Sequence, residues 1–332
     1  MTSEMTMQAA VLEQHGAPFK YTQIARPVVA PGHVLVRIKA SGVNPLDLKI
    51  RAGLAAHAKH LLPAILGIDM AGIVEALGEG VTGFEIGDEV YGMTGGVGNV
   101  QGSLAQYAVV DARLLATKPA SLALRNAASM PLVYITAWEG LVDRANVRAG
   151  QSVLVQGGAG GVGNAAIQLA KARGARVFAT GSTDSADIIR QYGAVPIDYS
   201  STTVEEYVAR HTGETGFDVV YDTVGGSSLD ASFSAVRRFG HVVSSLGWGS
   251  HALAPLSFRA ATYSGVFTLL PLLTGQGRRH HGEILREVAR LVDAGKIQPR
   301  VDERRFELSG VHDAHALQES GKASGKIVVD ID

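Results

Sequence analysis

The sequence predicts an α/β protein of two domains, one a compact β-rich barrel and the other a doubly wound parallel sheet. Residues 1–125 contain closely spaced short strands with glycine turns between them. Residues 126–270 alternate instead between strand and helix patterns, and a glycine-rich turn follows the first of those strands. The length of 332 residues also favours two cores over one.

The β-rich part contains one strand pattern of high regularity. Within His33–Ala40, every second residue from Val34 to Ile38 is apolar, which is typical of a strand with one buried face. Further short strands are predicted on the same reasoning at Met7–Leu12, Ala71–Leu77, Glu89–Gly92 and Gln106–Val110. Short strands at this spacing predict a barrel-like fold.

The last part of the chain, residues 271–332, returns to a mixed pattern. Ile284, Val288 and Leu291 form one stripe of a predicted helix, which we expect to end at Gly295. Lys326–Asp330 is a predicted terminal strand. We expect this strand to complete the N-terminal β-rich domain, which would make that domain discontinuous in sequence.

The alternating part contains six predicted strands with helical patterns between them, which is the order of a doubly wound parallel sheet. These strands are Val153–Gln156, Ala175–Thr180, Val195–Asp198, Phe217–Asp222, His241–Leu246 and Ser264–Leu270. The last of them is apolar on both faces, as expected of an edge strand that needs a partner. We therefore predict a homodimer.

The turn after the first of these strands has the G-x-G-x-x-G spacing of a dinucleotide site. Gly158 would permit the sharp turn, Gly160 would let the backbone approach the phosphates, and Gly163 would let helix and strand pack closely. The phosphates would lie on the N-terminus of the following helix, where N–H groups and the helix dipole favour negative charge. The predicted phosphate-binding residues are Gly158, Ala159, Gly160, Gly161, Val162 and Gly163.

The end of the second strand bears on which nicotinamide nucleotide is bound. NAD-specific folds usually place Asp or Glu there, which accepts hydrogen bonds from the ribose 2′-OH. Here the strand ends in Ala179-Thr-Gly-Ser182, and Asp184 and Asp187 are assigned to the start of the next helix. An uncharged end leaves room for a 2′-phosphate, so NADPH is favoured and NADH is the second choice.

Composition excludes several classes of function. The net charge of −1 and the absence of a basic stripe argue against nucleic-acid binding. The chain has no cysteine, which excludes disulfides, thiolate nucleophiles and thiolate-bound metals. The apolar run at residues 265–273 is too short to span a bilayer and contains Pro271, so no membrane role is predicted. Because the first seven residues lack a signal-peptide pattern, a cytoplasmic protein is expected.

Several motifs in a fixed order resemble the medium-chain dehydrogenase/reductase superfamily, and within it the zinc-independent quinone oxidoreductases similar to zeta-crystallin. The motifs are Ser41–Gly53, Leu66–Val74, Phe84–Gly92, Thr136–Ala137, the glycine turn and Gly325–Val329. The resemblance implies a GroES-like catalytic domain at residues 1–125 and 271–332. It also implies a Rossmann NAD(P)-binding domain at residues 126–270, with the site in a cleft between the domains.

The resemblance also bears on zinc. Zinc alcohol dehydrogenases of this superfamily carry a cysteine and then Gly-His-Glu where this chain has Asn44 and Gly67-Ile-Asp69. His57 and His60 lack a third ligand nearby and are interpreted as polar loop or helix residues. Zinc is therefore not expected. Without a metal to stabilise an alkoxide, hydride delivery to an activated acceptor is the easier chemistry.

Three functions follow from this. The first is NADPH-dependent reduction of quinones without zinc. The second is NADPH-dependent reduction of the double bond of 2-alkenals or enones, which uses the same hydride geometry. The third is not enzymatic, and is an NADPH-binding protein with a redox-sensing or structural role. A small-molecule quinone or enone is thus the expected substrate.

The resemblance implies catalytic roles for Asn44, Asp47 and Thr136. The Asn44 amide would hydrogen-bond the nicotinamide ribose or a substrate oxygen, although Asn before Pro45 is also a common turn. Asp47 would orient Asn44, relay a proton or start a helix. Thr136 would lie near the nicotinamide, or bond back to its own helix.

Further cofactor contacts are expected at two kinds of position. The resemblance implies Gly181, Ser182 and Tyr199 on the phosphate side, and Lys326 in the closing segment. Val224, Leu246 and Phe267 follow later strands, and ligands bind outside the carboxyl ends of such strands. Two departures from the family pattern are Ser185, where relatives carry a lysine, and Leu54, where many carry a tyrosine.

Overall fold

The computed structural model describes residues 5–332 and divides into two compact units. The first unit contains the residues up to Leu132 together with Leu269–Asp332, and the second contains Val133–Thr268. The predicted boundaries lay at 125/126 and 270/271. Residues 126–132 join the first unit instead, because a short helix there packs closely on a strand of that unit. A Cβ on Gly42 of the strand would lie 2.3 Å from the carbonyl oxygen of Ala128.

The strands, numbered in chain order, account for every strand predicted from the sequence, and only Val195–Asp198 and Phe217–Asp222 keep both predicted ends. They are β1 (Thr6–Leu12), β2 (Lys20–Ala25), β3 (His33–Gly42), β4 (Ala64–Ile65), β5 (Asp69–Leu77), β6 (Glu89–Met93), β7 (Tyr107–Asp111), β8 (Leu115–Thr117), β9 (Ser152–Gln156), β10 (Arg176–Gly181), β11 (Val195–Asp198), β12 (Phe217–Asp222), β13 (Val236–Ser244), β14 (Thr262–Gly265), β15 (Phe306–Glu307) and β16 (Val328–Asp330).

The helices are α1 (Pro45–Arg51), α2 (Leu124–Ala128), α3 (Pro131–Trp138), α4 (Gly161–Ala172), α5 (Ala186–Tyr192), α6 (Val204–Thr212), α7 (Ser227–Ala235), α8 (Ala254–Ser257), α9 (Leu270–Thr274), α10 (Arg278–Asp293) and α11 (Val311–Ser320). A π-helical segment, Glu139–Arg144, continues α3. Across residues 5–332, none of these helices has both the length and the apolar character of a membrane span.

The first unit is built on a seven-stranded sheet and a three-stranded sheet. The larger sheet has the order β15-β16-β3-β5-β6-β8, with β7 also paired to β3, and the smaller has the order β2-β1-β4. The terminal strand β16 pairs antiparallel with β3, and Val329 lies opposite Ser41. The end of the chain thus pairs with a strand of the N-terminal β-rich part.

The second unit is a six-stranded parallel sheet in the order β11-β10-β9-β12-β13-β14. This is the strand order of a dinucleotide-binding sheet, in which successive strands are added on one side of the first strand and then on its other side. Large apolar side chains such as Leu154, Phe217 and Phe233 are buried against the sheet and its helices. The predicted doubly wound parallel sheet is confirmed.

The edge of this sheet differs from the prediction in one respect. The predicted last strand, Ser264–Leu270, is wrong in its length, because the observed strand is Thr262–Gly265. Its neighbour β13 ends at Ser244, which lies opposite Gly265, so there is no strand left for residues 266–270 to pair with. Leu270 instead begins α9, with Pro271 in its first turn.

Candidate functional site

The glycine turn joins β9 to α4, as predicted, but the roles of its glycines differ from the predicted ones. Gly157 has the positive φ, +74°, that makes the sharp turn, whereas this role was predicted for Gly158. Gly158 is required for space, because a Cβ there would lie 2.6 Å from the Cβ of Ala179. Gly163 packs the helix onto the turn, since its Cβ would lie 2.1 Å from the carbonyl oxygen of Gly157.

The start of α4 has the features of an anion site. The helix begins at Gly161, with Gly160 as its N-cap residue, so the N–H groups of its first turn have no carbonyl partner within the helix. Ala159, Gly160 and Gly161 are exposed to solvent, and Val162 is half-buried. An exposed helix N-terminus whose N-cap, Gly160, makes no side-chain capping hydrogen bond fits the pyrophosphate of a dinucleotide.

The parallel sheet brings the predicted contact residues of this unit to one edge. Each of them ends a strand or follows its carboxyl end by one or two residues: Gly181 and Ser182 at β10, Tyr199 at β11, Val224 at β12, Leu246 at β13 and Phe267 at β14. Tyr199 and Val224 are largely exposed. The Trp248 ring, also exposed, meets the Phe267 ring edge to face at a centroid distance of 6.2 Å.

The ends of β10 and β11 form a rim rich in hydroxyl groups. Ser182 is exposed, and the Ser185 hydroxyl donates to its carbonyl oxygen over 2.8 Å. Arg190, on α5, donates to Asp187 over 2.6 Å. Asp198, which was not among the predicted site residues, lies opposite Gly181 and accepts hydrogen bonds from the hydroxyls of Ser200 and Thr183. These donors lower the pKa of Asp198 to about 2.

Thr136 lies on α3, and its hydroxyl is 3.1 Å from the hydroxyl of Thr268. The Thr268 hydroxyl in turn donates to Glu139 over 3.2 Å. The Thr136 carbonyl oxygen accepts a hydrogen bond from the buried Tyr221 hydroxyl over 2.7 Å. This part of α3 is therefore tied to the parallel sheet, and the Thr136 hydroxyl also lies beside a side chain outside its own helix.

In the first unit, Asn44 lies in a buried cluster of polar side chains with Asp47, Asp69 and Lys326. The Asn44 amide nitrogen donates to Asp69 over 2.9 Å, and its amide oxygen accepts from the Lys326 ammonium over 2.5 Å. The side chain is 1% exposed. Asn44 therefore links a carboxylate to an ammonium, and this internal role uses both ends of the amide that we expected to face a ligand.

Asp47 and Asp69 complete this cluster from two directions. Asp47, on α1, accepts a hydrogen bond from the Asn44 backbone N–H over 2.8 Å, so its predicted positions beside Asn44 and at a helix start are both observed. Asp69, which was not among the predicted site residues, accepts from the Leu132 N–H at the start of α3 over 2.8 Å. Lys326 donates further to the Val43 carbonyl oxygen over 2.8 Å.

Burial changes the proton affinity of all three ionisable groups in the cluster. Removal from water raises the pKa of Asp47 to about 7 and that of Asp69 to about 6, although Lys326 opposes both shifts. The same burial lowers the pKa of Lys326, against the pull of the two carboxylates. The carboxyl pair therefore takes up protons just below neutral pH, where exposed aspartates remain ionised.

The donor atoms of this cluster do not fit a zinc ion. Zinc in proteins is held by thiolate, imidazole and carboxylate ligands, and the chain has no cysteine. An ammonium group contacts the Asn44 oxygen and would repel a second cation. Among the described residues, no group of three or more His, Asp or Glu side chains is arranged to hold a metal.

The Asp47→Asn variant tests the proton affinity of the cluster. Because the Asp47 pKa is higher in the folded chain than in an unfolded one, Asp47 binds more protons when the chain is folded, and its contribution to stability falls as pH rises from about 4 to 7. The substituted amide cannot ionise, so the variant should gain stability relative to wild type over this range. Urea unfolding at pH 5, 6, 7 and 8 measures this difference. Asp313→Asn, at an exposed position on α11, is the matched control. Equal pH dependence in both variants would contradict the shift.

Comparisons with known proteins agree with this architecture. Residues 30–120 match a family model described as an alcohol dehydrogenase GroES-like domain, and residues 192–329 match one described as a zinc-binding dehydrogenase. The chain is 35% identical over 316 residues to an NADPH-dependent alkenal/one oxidoreductase, chloroplastic, of Arabidopsis thaliana. The matched region covers 93% of this chain and 74% of that protein.

Solved structures give the same result. An alcohol dehydrogenase superfamily protein from Novosphingobium aromaticivorans is 58% identical, with a TM-score of 0.96, over 98% of this chain and 100% of its own. A quinone oxidoreductase from Coxiella burnetii is 29% identical, with a TM-score of 0.82, over 99% of this chain and 100% of its own. With the GroES-like and dinucleotide-binding units described above, these similarities show that the chain is an oxidoreductase of the medium-chain dehydrogenase/reductase superfamily, in the branch that includes the quinone and alkenal/one oxidoreductases.

Proposed function

We propose that this oxidoreductase uses NADPH to reduce the activated double bond of a 2-alkenal or enone, without zinc. The observation that carries the proposal is the contact of the Lys326 ammonium with the Asn44 amide oxygen, 2.5 Å away. It favours chemistry in which the acceptor is activated by its own conjugated carbonyl, because a metal that could stabilise an alkoxide has no suitable set of ligands. Reduction of a conjugated acceptor requires position and orientation above all.

The second unit would hold the dinucleotide. The exposed N-terminus of α4 would bind the pyrophosphate, and the residues at the carboxyl ends of β10 to β14 would line the remainder. The bound nucleotide would supply the hydride. The chain would contribute a bound and oriented nicotinamide, with Thr136 on α3 as a contact near it.

In the first unit, Asn44, Asp47, Asp69 and Lys326 would act together and not as separate catalytic groups. Their hydrogen bonds join the loop before α1, the start of β5 and the segment before β16. Asp47 would remain partly protonated near neutral pH and Asp69 would be protonated below about pH 6, since burial raises the pKa of both carboxyls. The cluster would thus order these three segments, and its carboxyl pair would carry an exchangeable proton.

The choice of acceptor class rests on similarity. The alkenal/one oxidoreductase is 35% identical to this chain, whereas the quinone oxidoreductase of solved structure is 29% identical. This reverses the order expected from the sequence motifs, in which quinones came first. Quinone reduction is therefore the second candidate, because it needs the same hydride donor and, like enone reduction, does not require a metal to stabilise an alkoxide.

A panel of acceptors tests the proposal. With NADPH, we expect 2-alkenals and enones to be reduced at the carbon–carbon double bond, with a higher kcat/KM than quinones. The measurement is loss of NADPH absorbance together with identification of the product. Turnover of quinones alone would support the second candidate, and no turnover of either class would contradict the proposed acceptors.

The same assay tests independence from zinc. Protein dialysed against a chelator should keep its activity, because the cluster offers no set of zinc ligands. An activity that is lost on dialysis and restored by zinc would contradict the metal-free part of the proposal.

The preference for NADPH is tested by the Ser182→Asp variant. Ser182 follows β10 and is exposed, so a carboxylate there would repel a 2′-phosphate and accept hydrogen bonds from an unphosphorylated ribose. We expect the Kd for NADPH to rise about tenfold and that for NADH to change little. Nucleotide fluorescence titration measures both. Ser182→Ala, which adds no charge, is the control, and equal weakening of NADPH and NADH by Ser182→Asp would contradict this preference.

The proposal includes a homodimer formed through the edge strand β14. This strand has β13 on one side, and Thr262 and Tyr263 are exposed on it. Phe239 and Phe258, which are 77% and 84% exposed, add apolar surface to the same unit. Light scattering at micromolar concentration should give twice the mass of one chain, and Tyr263→Pro should reduce it. A monomeric wild type would contradict the dimer.

A further inference from the structure

A row of buried polar side chains crosses the carboxyl ends of four neighbouring strands in the second unit. Gln156, Asp222 and Ser244 are the last residues of β9, β12 and β13, and Thr180 is the last residue but one of β10. Asp222 lies opposite Gln156 on one side and opposite Ser244 on the other. All four side chains are at most 4% exposed. Buried polar groups in such a row are expected to be hydrogen-bonded, and their hydrogen-bond partners show which loops the row keeps in position.

Asp222 is the most buried of the four, at 0% exposure. Its carboxylate accepts hydrogen bonds from residues at or just after the carboxyl ends of two strands. After β12, the N–H groups of Val224 and Gly225 donate to it over 3.2 and 3.1 Å. At the end of β13, the Ser244 hydroxyl donates to it over 2.7 Å. A buried carboxylate with several donors is a strong and directional anchor, because leaving any donor unpaired would be costly.

The anchor extends beyond these direct contacts. The Ser244 hydroxyl oxygen accepts from the Leu246 N–H over 3.0 Å, and the Asp222 carbonyl oxygen accepts from the Ser245 N–H over 3.1 Å. The two loops also pack tightly, since a Cβ on Gly225 would lie 2.6 Å from the Leu246 carbonyl oxygen. Asp222 therefore sets the position of Thr223–Gly225 and of Ser244–Leu246 relative to each other.

The strand order indicates which half of a dinucleotide these loops would serve. The glycine turn follows β9, and on one side of it lie β10 and β11 with Ser182 and Tyr199, the expected neighbours of the 2′-phosphate. The loops held by Asp222 follow β12 and β13, on the other side of β9. With the pyrophosphate at the turn, the nicotinamide half would extend towards β12 and β13.

We propose that Asp222 is a positioning residue that holds the Val224 and Leu246 loops for the nicotinamide half of the bound nucleotide. The inference rests on the proposed use of NADPH. Asp222 itself does not reach the ligand, because both carboxylate oxygens are turned to backbone and hydroxyl donors of the chain. Its effect would pass through the two loops and would leave the adenosine half untouched.

The Asp222→Asn variant tests this inference with two ligands. An amide NH₂ in this place would face the N–H and O–H donors that the carboxylate accepts, so the loops should move. We expect the Kd for NADPH to rise about tenfold, while the Kd for adenosine 2′,5′-bisphosphate, which lacks the nicotinamide half, stays within about twofold. Ser244→Ala keeps the carboxylate and should show the same selectivity at about threefold, and it decides the matter if Asp222→Asn does not fold.

The matched control is Asp218→Asn at the opposite end of the same strand. Asp218 accepts from Ser152 and Arg237, so its loss should lower stability without changing the Kd for either ligand. Equal weakening of both ligands by Asp222→Asn, or no weakening of NADPH, would overturn the positioning role. If the wild type binds the bisphosphate but neither NADPH nor NADH, the proposed function fails as well, and that outcome is distinct because it appears before any substitution is made.

Discussion

Parallel pairing around β9 is the constraint on which the second unit depends. Parallel strands place all their carboxyl ends at one edge of the sheet, and each connection must return along the outside through a helix. The glycine turn, the hydroxyl-rich rim of β10 and β11 and the loops after β12 and β13 therefore share that edge. The polar row from Thr180 to Ser244 runs just beneath it. Its hydrogen bonds give the exposed loops fixed positions that apolar packing alone would not specify.

In the first unit, electrostatics sets the arrangement of the corresponding cluster. Two carboxylates and one ammonium lie in a region from which water is excluded, and the Asn44 amide spaces them. Ionised groups are stable there only when they are paired and hydrogen-bonded, or when one of them keeps a proton. The cluster shows both pairing and a raised proton affinity. The Lys326 ammonium pairs with the carboxyl groups and opposes the shift, while burial raises the pKa values of Asp47 and Asp69. Asn44 is thereby an internal connector, with its amide engaged by the chain itself.

Local patterns were sufficient to predict the turn and twelve of the sixteen strands, but not β2, β4, β8 and β15. Val153–Gln156 and Phe217–Asp222 differ from the observed strands by one residue at most, because alternation and turn residues act over a few positions. The predicted strand Ser264–Leu270 had the right composition and the wrong length, because its end depends on where β13 ends. Likewise, the G-x-G-x-x-G spacing located the turn but did not show that Gly157, outside that spacing, takes the left-handed conformation.

The sequence by itself determined the two-part architecture, the dinucleotide turn and the absence of thiolate chemistry, because each depends on composition or on residues close together in the chain. Only the tertiary structure decided the partners of Asn44 and Asp222. Lys326 is 282 residues from Asn44, and Ser244 is 22 residues from Asp222. No local pattern encodes such pairs, since they meet only after two separate strands have taken their places in a sheet. The chemistry of both units rests on contacts of that kind.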